Sequence, residues 1–123
     1  MSQSTIFDKI INKEIPAEIV YEDDKALAFK DINPQAPFHV LVIPKTKIAT
    51  INDVTEENSH LVGHLYAVAA KLAKEQGFAE AGYRVVMNCN EHGGQTVYHI
   101  HLHLLAGKVM GWPPYTDTKK GLL

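Results

Sequence analysis

The residues best suited to chemistry lie close together: of the seven histidines in this 123-residue chain, three fall in His99-Ile100-His101-Leu102-His103. An imidazole titrates near neutrality and can act as nucleophile, acid, base or metal ligand. In an extended segment alternate residues share a face, so Val97, His99, His101, His103 and Leu105 line one side, and Tyr98, Ile100, Leu102 and Leu104 the other. Three readings follow. A structural role requires partners for every buried ring nitrogen, because burying unpaired polar groups is costly. A metal site is the second, since His-x-His on a strand supplies two zinc ligands. At ~3.3 Å per residue, however, His99 and His103 stand ~13 Å apart, so an ion would need two of the three plus His39 or Cys89. No carboxylate or Cys-x-x-Cys lies near enough in sequence to complete such a site. The third reading is nucleophilic catalysis at phosphorus by the central imidazole, His101, with its neighbours as acid, base or support. It gives each of the three clustered histidines a task. The preceding loop His92-Gly93-Gly94-Gln95-Thr96 adds backbone N–H groups that can approach phosphate oxygens.

The rest of the chain must position that face. Thr5 with Asp8 reads as a capping box opening a helix to about Lys13, bounded by Pro16. Residues 19–21 and 26–29 read as a hairpin around the acidic turn Glu22-Asp23-Asp24. After the stiff loop Asn33-Pro34-Gln35-Ala36-Pro37 comes a buried strand, Phe38 to Ile43, closed by Pro44, on which His39, Leu41 and Ile43 share a face. Asp53 with Glu56, or Thr55, caps a long helix carrying Leu61, Leu65, Val68, Ala69 and Leu72 in one stripe and stopping near Gly77. Residues 83–88 and 97–105 read as two further strands. This order predicts an α+β domain with a mostly antiparallel sheet and a long helix packed on it. Hydrophobic residues make up 46% of the chain, enough for one core. A net charge of -2 without a basic run argues against a polynucleotide partner. Cys89 is the only cysteine, and no apolar leader or span is evident, so the expected setting is a reducing, cytoplasmic one with no membrane partner.

Gly93-Gly94-Gln95-Thr96-Val97-Tyr98-His99-Ile100-His101-Leu102-His103 closely resembles the signature of the histidine triad family. The likeness extends to Phe7-Asp8-Lys9-Ile10-Ile11, Lys13-Glu14-Ile15-Pro16, Asp31-Ile32-Asn33-Pro34-Gln35-Ala36-Pro37-Phe38-His39 and Gly111-Trp112-Pro113-Pro114, a combination typical of the Hint branch, the adenosine phosphoramidases. The resemblance implies a single domain over residues 1–114 with an extension at 115–123. It also implies a homodimer formed through the long helix and a sheet strand into a continuous sheet, and no cofactor or metal. The implied reaction is hydrolysis of AMP linked through nitrogen, by way of a nucleotidyl-histidine. The ligands would be AMP, adenosine and GMP. On this resemblance His101 is the nucleophile, His103 bonds the phosphate, His99 and His39 support it, and the Thr96 hydroxyl lies near the leaving group, where relatives often carry serine. Asp31 beside Ile32 would bind the ribose hydroxyls. Asn88, Gly94, Gln95 and Thr96 would contact phosphate or sugar, and Phe7, Ile10, Ile15, Phe29 and Leu41 would wall the purine. A dinucleoside polyphosphate hydrolase and a nucleotide-responsive binding protein are the competing readings.

Other residues carry plainer expectations. Asp31 alone reads as a turn cap. His60 and His64 share a face of the long helix at i,i+4 and read as solvent-exposed, and His92 reads as an exposed loop residue. Cys89 reads as a small filler and Trp112 as packing or interface area.

Overall fold

The computed structural model describes residues 4–115 as an α+β fold around one five-stranded sheet. Helix α1 (Ile6–Ile11) opens on Thr5, whose hydroxyl accepts the Phe7 N–H while Asp8 accepts the Thr5 N–H. It ends five residues before Pro16, earlier than periodicity suggests. Lys13 takes a left-handed φ of 63° and Glu14 N donates back to Lys9 O at 2.8 Å, closing the last turn as glycine commonly does elsewhere. Strands β1 (Ile19–Glu22) and β2 (Ala26–Lys30) form the expected hairpin, its turn held by Asp23, which accepts the N–H groups of Lys25 and Ala26.

Strand β3 (Phe38–Pro44) pairs with β2 and with β5 (Leu102–Ala106), and β4 (Tyr83–Val86) pairs with β5 on the far side. The order is β1-β2-β3-β5-β4, every pair antiparallel. Helix α2 (Ser59–Glu75) packs beneath. It starts later than the candidate caps Asp53 and Thr55. Asp53 instead closes its own capping box with Thr50 on a short 3-10 turn, and Thr55 N donates to Asn58 Oδ1 at 2.7 Å. The expected stop holds: Gly77, at φ 84°, follows the cap, and Phe78 N bonds Ala73 O.

The two faces of the sheet differ by side-chain size. Ala26, Ala28, Val40, Val42, Leu102 and Leu104 meet Leu65, Val68, Ala69 and Leu72 of α2, the alanines letting the helix sit close. Leu27, Phe29, Leu41 and Ile43 face the other way, against Phe7 and Ile10 of α1. Because α1 is short, it covers only part of that face. Beyond α1 the same face carries His39, buried, and His103, half-buried.

The triad segment does not begin as a strand. With Val42 opposite Leu102, the next positions would set Pro44 opposite Ile100, and proline has no N–H to extend the ladder. Pairing therefore starts at Leu102. Residues 97–101 bend away and are tied laterally, Ile100 N donating to Ile48 O at 2.8 Å. Likewise β4 stops at Val86, opposite His103, short of the expected residue 88. Among the described residues no helix is long and apolar enough to cross a membrane. Of the expected extension, Tyr115 is described and exposed, and residues 116–123 lie outside the described residues.

Candidate active site

His39 and His103 meet because of register. Leu41 lies opposite His103 and Leu105 opposite His39, so the two histidines are diagonal neighbours on one face. Their rings touch, with His39 Nε2 2.9 Å from His103 Nδ1. His101 stacks edge-on against Phe7 at 5.0 Å between centroids and lies 5.1 Å from the His103 ring. His99 also packs on Phe7. The three triad rings thus share one side although the backbone carrying two of them is not sheet.

Hydrogen-bond partners fix where the protons sit. Carbonyls only accept, so His99 donates from Nε2 to Pro44 O at 2.7 Å and His101 donates from Nδ1 to His99 O at 2.9 Å. A neutral ring holds one such proton. His101 therefore keeps a lone pair on Nε2, and that ring lines the cavity. His99 is sealed from solvent, and its Nδ1 is the one buried side-chain nitrogen without a partner among the described residues. His99 is accordingly a support behind the site and has no reach into it.

Burial keeps these rings neutral. It pushes His39, His99 and His101 below the usual histidine range, in His39 against the opposing pull of Asp31. His103 is pushed down to about 4 by burial and then by the charges His101 and His39 would carry. In an unfolded chain the same rings titrate near 6.5, so as the pH falls below that the unfolded state takes up protons that the folded state refuses. Stability is therefore full above pH ~6.5 and falls with the pH until the folded values are passed, His103's near 4. We expect the thermal midpoint to drop across this window and His103→Gln to flatten part of the slope. A midpoint independent of pH there would contradict neutral burial.

A cavity of about 370 Å³ opens beside the rings, large enough for a nucleoside. Its walls include all five apolar residues expected there, Phe7, Ile10, Ile15, Phe29 and Leu41, with Asp31, Ile32 and Thr96 at the rim beside His101 and His103. Ile32 is 98% exposed, an apolar surface that no described residue covers. Ile6 and Val97 also join the lining; the sequence reading put Val97 on the histidine face but assigned neither residue to the cavity wall. Ile6 precedes Ile10 by one helical turn, which was the available signal. Asp31 closes a turn, its Oδ1 accepting Asn33 N at 2.8 Å, and it also lines the cavity.

Two of the residues expected at the phosphate, Gln95 and Gly94, have their hydrogen-bond donors committed within the chain. Gln95 is buried and faces its own chain: Nε2 donates to Ala49 O and Val97 O, Oε1 accepts Asn90 N, and its main-chain N donates to Asn90 O. It clamps the loop and has no donor left for a ligand. The N–H of Gly94 is committed to Glu91 O at 3.0 Å, within a helical turn, α3 (Asn90–Gly93), where an open loop was expected. Gly94 is still required, since it sits at φ 83°. The main-chain N–H groups of Thr96 and Val97 have no partner among the described residues. Asn88 lines a separate groove of about 450 Å³ across His103, with Gln35, His39 and Arg84.

Elsewhere, His60 and His92 are exposed and Cys89 is half-buried, as expected. His64 is not simply solvated: its Nε2 lies 2.7 Å from Asp23 Oδ2, tying α2 to the hairpin turn. Trp112 is 82% exposed, with the Arg84 guanidinium 5.9 Å from its ring.

Asp31, His39 and His103 each bring a ligand atom within 4.8 Å of the others, a spacing a metal could use. The proton positions oppose it. Nδ1 of His39 accepts the Gln35 N–H at 2.9 Å, so the ring's proton sits on Nε2, the atom that would have to bind the ion. This set does not fit a metal.

A family model described as "Scavenger mRNA decapping enzyme C-term binding" matches residues 4–112. The chain is 56% identical over 111 residues to the purine nucleoside phosphoramidase of Escherichia coli, covering 90% of this chain and 93% of that one. It is 55% identical over 112 residues to a 14 kDa zinc-binding protein of Zea mays, covering 89% and 87%. Among solved structures, a HIT family hydrolase from Legionella pneumophila superimposes with a TM-score of 0.89 at 55% identity, over 91% of this chain and all of that one.

Proposed function

This chain belongs to the histidine triad family, and on that premise we propose that it is a purine nucleoside phosphoramidase, hydrolysing AMP or GMP linked through nitrogen to an amine. The observation that carries the reading is the orientation of His101: its Nδ1 proton is held by the His99 carbonyl, which leaves the Nε2 lone pair for the nucleotide cavity. Nε2 attacks the α-phosphorus, a bond from phosphorus to imidazole forms, and the bond to the amine breaks. Water then cleaves the nucleotidyl-histidine, releasing the nucleotide and restoring the ring. The base packs among Phe7, Ile10, Phe29 and the exposed Ile32, Asp31 takes the ribose hydroxyls, and His103 with the Thr96 and Val97 N–H groups takes the phosphate. The test is turnover of an adenosine phosphoramidate against its guanosine analogue and a diadenosine polyphosphate. Preference for the polyphosphate would favour the polyphosphate hydrolase reading, and binding without turnover a nucleotide-responsive binding protein.

Asp31→Asn should weaken AMP binding by about 1–3 kcal/mol, the scale of a charged hydrogen bond, since one acceptor oxygen becomes a donor. A 2′,3′-dideoxy nucleotide should be nearly indifferent to the change when both are compared by calorimetry. Equal losses for both ligands would remove Asp31 from the ribose site.

The homodimer is proposed on the same footing. Supporting it, β4 is an edge strand with no strand on its outer side among the described residues, and Tyr66 of α2 and Tyr83 of β4 are 47% and 39% exposed. Open edges and exposed aromatics favour a two-fold partner. Sedimentation equilibrium should give twice the chain mass at micromolar concentration, and a monomer there would refute it.

A further inference from the structure

The main-chain N–H of Gln35 donates to His39 Nδ1 at 2.9 Å. An amide nitrogen can only donate, so that ring nitrogen is an acceptor and the one proton of neutral His39 lies on Nε2. Nε2 faces His103 Nδ1 at 2.9 Å, whereas Asp31 Oδ2 is at 3.5 Å, too far for a comparable bond. His103 Nδ1 is therefore the acceptor and its own proton lies on Nε2. The opposite direction would require a His39 ring with no proton at all. The amide that starts this chain is well held: Pro34 and Pro37 fix φ around it, Asn33 N bonds Asp31, and the Gln35 side chain bonds Asn33 O.

We propose that the main-chain N–H of Gln35, acting through His39, is a positioning group that holds His103 as a fixed hydrogen-bond donor beside the nucleophile. The catalytic consequence rests on the phosphoramidase reading; the proton positions do not. A neutral ring that accepts at Nδ1 cannot release its Nε2 proton without becoming an imidazolate, so His103 keeps its proton throughout. As the bond from His101 Nε2 to phosphorus forms and the bond to the amine breaks, His103 donates to a phosphoryl oxygen. The departing nitrogen takes its proton from water. The hydroxide left behind is the equivalent that later cleaves the nucleotidyl-histidine, so one water is consumed per turnover.

The experiment is long-range proton–nitrogen correlation of the imidazoles in the full chain without ligand, which distinguishes the two neutral tautomers. His39, His99 and His103 should show the proton on Nε2, and His101 alone on Nδ1. Gln35→Pro removes the N–H and should shift His103 to a tautomer mixture, while Gln35→Ala keeps the N–H and should leave the pattern intact. With an adenosine phosphoramidate, Gln35→Pro should lower kcat toward the about 10²-fold loss typical of a missing oxyanion donor, with KM little changed. Should Gln35→Pro fail to fold, His39→Phe provides the second break in the chain and should give the same mixed His103. A wild-type His103 protonated on Nδ1, or a His103 tautomer unmoved by breaking the chain, overturns the proposal. The expected tautomers in a protein that hydrolyses no phosphoramidate would overturn the functional reading and leave the relay standing.

Discussion

His101→Ala should abolish phosphoramidate turnover, a loss of about 10⁴–10⁶-fold by comparison with removal of other covalent nucleophiles. No neighbour can substitute: His99 is sealed behind Phe7, and the His103 nitrogen facing His39 is already an acceptor. In the unaltered protein, rapid mixing with substrate and intact-mass measurement should reveal one added nucleotide per chain, mapping to His101. A phosphorus–imidazole bond is labile in acid, so the quench must be alkaline. Chelators should leave adduct formation untouched, because the His39 proton occupies the nitrogen with which Asp31, His39 and His103 would hold an ion. Turnover should decline only below the usual histidine pKa of about 6.5, since burial lowers that of His101 and keeps its attacking nitrogen unprotonated. An acid limb at or above 6.5, or robust turnover by His101→Ala, would remove this nucleophile from the mechanism.

The sequence showed the chemistry more clearly than the backbone that delivers it. Alternation from Val97 to Leu105 placed three imidazoles on one face, and they are on one face, but residues 97–101 reach it through bends. The missing information was the partner strand. Pro44 was legible as the end of β3, yet its effect on Ile100 depends on a register that only folding sets. The apolar residues expected from resemblance to share one wall all line the cavity, because apolar positions on α1, β2 and β3 need only lie on the correct face. Gln95 misled for the opposite reason. A glutamine beside two glycines looks like a ligand contact, and whether its amide turns outward or clamps Ala49 and Val97 is decided by a segment almost fifty residues away. The Gln35 amide gave no signal, since main-chain donors have no residue type to notice.

His103 provides the other large effect, and its substitutions separate hydrogen bonding from proton transfer. Charge builds on the phosphoryl oxygens as His101 attacks, and a donor already oriented toward them costs no reorganisation at that moment. His103→Ala should therefore lower kcat by about 10²–10³-fold, or ~3–4 kcal/mol, with a much smaller change in KM. Glutamine is the informative replacement. Its carbonyl can accept the His39 Nε2 proton and its amide can donate toward the cavity, reproducing both hydrogen bonds without a titratable group. His103→Gln should thus recover a substantial part of what alanine loses, and its pH profile should keep the acid limb assigned to His101. If His103 instead passed a proton to the leaving amine, glutamine could not replace it. The two variants would then be equally slow, and the loss would grow with the basicity of the amine. A series of phosphoramidates with amines of graded pKa, measured by kcat for wild type, His103→Ala and His103→Gln, decides between them: parallel lines for wild type and His103→Gln mark a hydrogen-bond donor, and a steeper line for His103→Gln marks an acid.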